Sequence, residues 1–160
     1  AETHLDSTIF NAHLEKDITT YMRKDAQFFS VNSRSGKLNW NLRIPKHQES
    51  KTAEGMGYVC KVAGEKMYVI FNDHFDNVEK EWTTEKGVSK FSKMDNPVVM
   101  LAIDLNDPAK SVKREKLWKS EKVKTYFEPV NFYTSQDSNE GMLYLDDPLG
   151  KDIFVRMVFK

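Results

Sequence analysis

Cysteine is nearly absent from this chain: Cys60 is the only one in 160 residues. A single thiol excludes an internal disulfide and a cysteine-based zinc cluster. Cys60 falls in the alternating stretch Tyr58-Val59-Cys60-Lys61-Val62, where the expectation is a small buried hydrophobe. Net charge is also lacking. Lys and Arg total 24 and Asp and Glu total 24, with a sequence pI of about 7.1. A nucleic-acid binder carries a basic excess or stripe, so nucleic acid is not the expected partner. In the run Lys113 to Lys124 lysines alternate with acids, which reads as a solvated strand edge.

No apolar run approaches the roughly 18 residues of a spanning helix, so no membrane span is expected. The N-terminus shows no signal peptide, which a mature secreted chain would also lack. The first residue is Ala rather than Met, in keeping with a cut or processed chain.

Catalytic signatures are missing as well. There is no nucleophile elbow, phosphate-binding loop or dinucleotide fingerprint. The four histidines His4, His13, His47 and His74 show no metal spacing. Asp104, Asn106 and Asp107 bring oxygens together but lack the calcium-loop spacing, and Asn-Asp-Pro is an ordinary turn. Asp146-Asp147-Pro148 reads the same way. No cofactor and no metal is expected. The chain reads as non-catalytic, although glycosidase carboxylates need no local motif.

What is present is β-forming sequence. Aromatics reach 12%, with ten Phe, six Tyr and three Trp, beside 39% hydrophobic and 30% charged residues. That balance gives a folded core and leans towards sheet. Residues 1–27 are mixed. Leu5, Ile9, Ala12, Ile18, Tyr21 and Met22 partly match a helical spacing, while Ile18 to Tyr21 has strand propensity. From 28 to 160 the reading is a single antiparallel β domain. Phe28 to Asn32 and Leu38 to Ile44 form a hairpin around Gly36, ended by Pro45. Gly57–Val62 pairs with Lys66–Phe71, Val98–Ile103 with Val112–Trp118, and Phe127–Tyr133 with Met142–Leu145. Ile153–Phe159 is the last strand.

Residues 74–97 form a long polar loop, the segment least needed by the core and the first place to look for a partner surface. Asp73, His74, Phe75 and Asp76 are its most ligand-like cluster, against the plainer reading of a solvated loop after a strand. Trp82 is either a partner-anchoring or sugar-stacking residue or a pin for the loop. Trp40 and Trp118 are expected to pack between sheets.

Two hairpin types alternate at an offset of roughly 70 residues, the spacing of sheet repeats. One is strand, turn, Trp-bearing strand (Phe28 to Ile44, and Val98 to Trp118). The other ends in a Tyr-rich strand with acids, "MYVIFND" and "MLYLDD". The stretches "FFSVNSRSGKLNWNLRIPKHQ" and "GYVCKVAGEKMYVIFNDH" resemble a segment of large, mostly uncharacterised bacterial envelope or secreted proteins that are β-propeller-like. The resemblance covers residues 28–160 and is best at 36–47 and 66–74. It implies a β-meander, an extracellular, periplasmic or outer-envelope location, and no known active site.

The expected fold is therefore all-β, with propeller-blade-like antiparallel hairpin repeats, or the same strands closing as a sandwich or barrel. About nine strands make just over two four-stranded blades, too few for a ring of four to eight. The blade reading thus implies a piece of a larger propeller. The expected function is a binding or scaffold module, with a protein partner or the rest of a larger chain, and glycan as the other partner class. Two alternatives stand beside it. One is a glycan-acting hydrolase using loop carboxylates such as Asp73 and Asp76. The other is a barrel holding a small apolar ligand.

Overall fold

A computed structural model describes the backbone of residues 2–11, 16–78, 87–91, 97–110, 113–118, 125–135, 138–146, 150 and 152–160. Side chains are described from Thr20 onward, Trp118 excepted. The fold is all-β, every sheet is antiparallel, and none closes into a barrel.

Sheet A is a meander of β1 (Glu2–Asn11), β2 (Lys16–Val31) and β3 (Leu38–Ser50). Sheet B is the meander β4 (Val59–Ala63), β5 (Lys66–Asn72), β6 (Val98–Asp104) and β7 (Arg114–Trp118). Sheet C places β10 (Glu140–Asp146) between β11 (Ile153–Val158) and the two short strands β8 (Tyr126–Phe127) and β9 (Tyr133–Thr134).

The sheets stack face to face with B in the middle. Alternate residues of β5 and β6 explain this. Met67, Val69, Phe71, Val99, Leu101 and Ile103 join Ala26, Leu42 and Ile44 of sheet A in one core. Tyr68, Ile70 and Val98 join Phe127, Leu143, Leu145 and Phe159 in the other. A sheet covered on both faces reads as unbroken apolar sequence, which is what "MYVIF" and "VVMLAI" are.

The N-terminal segment, mixed in sequence, is strand: β1 and β2 pair from Glu2↔Ala26 to Asn11↔Lys16. Two expectations need correction. Pro45 does not end its strand, because β3 runs through it to Ser50. The ladder slips between Lys24↔His47 and Ala26↔Ile44, so Pro45 sits in a bulge where no ladder N–H is required. Phe127–Tyr133 is not one strand, because a 3-10 turn at Pro129–Asn131 splits it into β8 and β9.

Gly36 takes φ 69° in the β2–β3 turn, where Asn32 Oδ1 accepts from Arg34 N and Ser35 N. Trp40 is half-buried against the A–B core and donates from Nε1 to Leu105 O at 3.1 Å. Trp118's side chain lies outside the described residues.

Candidate functional site

The ligand-like cluster of the sequence sits where β5 ends, and most of it is structural. Asp73 and Arg114 form an ion pair at 2.9 Å with both side chains 1% exposed. Arg114 also donates to Pro45 O, so the pair ties β5 and β7 to β3. Asp73 Oδ1 accepts from His74 N at 2.8 Å and Asn77 Nδ2 at 2.7 Å. Burial pushes the Asp73 carboxyl up, against the pull of Arg114 and these donors. A carboxylate so enclosed is out of reach of a substrate.

His74, Phe75 and Asp76 lie just beyond, on the surface. His74 caps a 3-10 turn, its Nδ1 accepting from Asp76 N at 3.2 Å and lying 3.4 Å from Asp76 Oδ2. Its ring packs on Phe75 with centroids 4.5 Å apart, and Phe75 is 54% exposed. Asn77, fully buried, exchanges hydrogen bonds with Ser89 and so closes the loop base. Trp82 lies outside the described residues. The structure therefore brings Asp73, His74, Phe75 and Asp76 together at one corner, with Asp73 turned inward and the rest outward.

Two buried carboxamides complete this end of the stack. Gln48 of β3 accepts from Gly57 N at 2.8 Å and donates to Asn72 O at 2.9 Å. Asn72 of β5 accepts from Phe127 N at 2.9 Å and donates to Phe127 O at 2.6 Å and Gly55 O at 2.7 Å. Each amide pairs with a backbone unit as a neighbouring strand would, and together they connect sheets A, B and C. Lys46 is also buried, with Nζ 3.1 Å from Gln48 Oε1 and over the Tyr58 ring.

An open apolar surface lies elsewhere, on the outer face of sheet C. Tyr133, Phe154 and Val158 are 63%, 59% and 55% exposed, with Met142 beside them. Tyr144 packs on Phe154 at 5.4 Å between ring centroids. Its hydroxyl donates to Asp152 Oδ1 at 2.8 Å, and that bond to a carboxylate pushes its pKa up to about 12. At the end of this face an open hollow of about 530 Å³ is lined by Tyr133, Thr134, Ser135, Ser138, Glu140 and Arg156. Arg156 holds Glu140 from two nitrogens, the Nε bond at 3.0 Å. That pairing keeps the Glu140 carboxyl below the usual range.

Sequence reasoning missed this face. The signal was in β11: Ile153-Phe154-Val155-Arg156-Met157-Val158 is apolar at both parities except at Arg156, the mark of a strand meant to be covered on both sides.

Other expectations are placed as follows. Cys60 is exposed on β4, a correction to the buried reading, because in Cys60-Lys61-Val62 it is Lys61 that turns inward. Lys61 reaches Ser135 O. Arg114–Trp118 of the run from Lys113 lie on an edge strand, β7, but Arg114 is buried, and 119–124 lie outside the described residues. Asp104 Oδ1 accepts from Asn106 N at 2.8 Å as in an ordinary turn, and Asp107 pairs with Lys110 at 2.9 Å. Among the described residues no group of three metal-ligating side chains occurs, and no helix is long and apolar enough to cross a membrane. No family model, no curated protein and no solved structure matches this chain.

Proposed function

We propose that this chain is a non-catalytic binding or scaffold module of a bacterial envelope or secreted assembly, built of propeller-blade-like sheets. The observation that carries the reading is the stack. Strands β5 and β6 of sheet B are buried between sheets A and C, while the outer face of sheet C carries exposed apolar side chains. Strand order supports a repeating unit: the "MYVIF" strand and the "MLYL" strand are each an inner strand of their sheet, and Trp40 and Trp118 each lie on a last strand. Exposed apolar patches of this kind mark interaction surfaces.

The hydrolase alternative loses its best acid, since Asp73 is shut away with Arg114. Glu140, the carboxylate lining the hollow, is held by Arg156. Two experiments test the reading. Fractionation of the source cells, with antibody detection, is expected to find the chain in the envelope or the medium; a purely cytosolic chain contradicts it. Turnover of chromogenic glycosides and polysaccharides is expected to be nil. Turnover abolished by Asp76→Asn would establish the hydrolase instead.

A further inference from the structure

We propose that the outer faces of sheets A and C are the two halves of one interface, and that a second copy of this chain fills them. Two three-sheet stacks would then join head to tail into a ring of six sheets. The inference rests on the scaffold reading and names its partner.

Continuity with the existing interfaces is the first argument. A–B and B–C are face-to-face sheet contacts made by alternating apolar residues. Among the described residues, the outer face of C and the turn end of the outer face of A carry exposed apolar side chains, next to the polar Gln27, Asn41 and Arg43 on A. On A, Phe29 and Leu38 are each 61% exposed and Val31 47%. Phe28, the neighbour of Phe29, is packed in the core, so this end of β2 is apolar on both sides. On C stand Phe154, Val158, Met142 and Tyr133. β11 is as apolar as β5 and β6, which are covered twice, and β2 is so only at its end, Phe28 to Val31.

Charge fits as well. The outer face of A carries Asp25 paired with Arg43, and that of C carries Glu140 paired with Arg156. One acid and one base on each face let the two meet without like-charge repulsion and allow exchange of partners across the contact.

Area is sufficient. With strands about 4.8 Å apart and a rise of about 3.4 Å per residue, a face three or four strands wide and six residues long covers roughly 300–400 Å². Two such contacts, counted on both copies, bury roughly 1,200–1,600 Å², the range of a stable specific interface. Six sheets also fall within the four to eight of closed propellers, and closure hides both open faces at once.

The test is solution mass by light scattering across a concentration series, with disulfide trapping. The expected mass is twice the 18.6 kDa of the chain, constant with dilution through the micromolar range. Phe154→Lys with Val158→Lys on one face, or Phe29→Lys on the other, should each weaken association at least about tenfold. These positions are exposed, and circular dichroism checks that each variant is folded; Val130→Lys, 84% exposed on the 3-10 turn outside the strands, should change nothing. On a Cys60→Ser background, a copy bearing Phe29→Cys mixed with one bearing Phe154→Cys should form the mixed disulfide. A monomer overturns the ring and leaves the scaffold reading to its localisation test. A mass that climbs with concentration overturns closure. Trapping of Phe154→Cys with itself, in place of the mixed pair, overturns the head-to-tail arrangement.

Discussion

Asn72→Ala is the sharpest probe of how the three sheets are held together. Asn72 is fully buried, and its side-chain amide satisfies three backbone groups: Phe127 N–H, Phe127 C=O and Gly55 C=O. Truncation leaves all three without this partner in the interior. A buried polar group left unpaired costs about 1–3 kcal/mol. Water entering the space left by the amide offsets part of this, so the expected loss is about 3–5 kcal/mol. That is a large fraction of the roughly 5–15 kcal/mol of a typical domain. Asn72→Asp keeps the shape and one acceptor but replaces the donor that faces two carbonyls with an oxygen, so its loss should be at least as large. Gln27→Ala, which removes an exposed bond to Asn41 Oδ1, should stay within about 0.5 kcal/mol. Urea unfolding followed by tryptophan fluorescence gives all three values. A loss below about 1 kcal/mol for Asn72→Ala would refute the reasoning, because the B–C junction would then not depend on this amide.

Three further outcomes follow from the same geometry. Arg114→Met strands the buried Asp73 charge and should cost about 3–5 kcal/mol, while adding Asp73→Asn should recover much of it, read from urea midpoints. Gly141→Ala puts a Cβ 2.7 Å from the Phe132 ring and 3.2 Å from that of Phe159, so overpacking should cost about 1–3 kcal/mol in thermal or urea unfolding. His47 is held below its ordinary pKa of 6.5, first by burial, then by Lys24 and Lys90, with Glu49 opposing. Its contribution to stability is therefore present above pH 6.5 and lost as the pH falls through that value towards the lower folded pKa. Unfolding midpoints at pH 7.5 and 5.5 should differ less in His47→Gln than in the wild type.

The β content was legible because strand chemistry is local. Alternation in Leu38 to Ile44, the Asn32 to Gly36 turn and the apolar runs of β5 and β6 all appear in short windows. Features fixed by distant partners were not legible. Arg114 lies in a run that reads as a solvated strand edge, and its burial depends on Asp73 and Pro45 from outside its own strand. Asn72, just past the expected strand Lys66–Phe71, shows no local sign that it meets a residue 55 positions away. Pro45 misread as a terminator because the bulge that accommodates it is made by the register against β2. In the site, Asp73 to Asp76 was legible as a polar cluster at a strand end, but not the inward turn of Asp73. The outer face of sheet C was not legible because apolar residues at both parities do not say which parity turns to the core.

The proposed mode of action is contact through the open sheet faces. The most direct measurement is photo-crosslinking in the source cells, with a photoreactive residue at position 154 and, as control, at position 130. A discrete adduct at 154, identified by mass spectrometry as a second copy or a defined envelope component and missing at 130, is the predicted result. No adduct at 154, or the same diffuse labelling at both positions, would contradict the account.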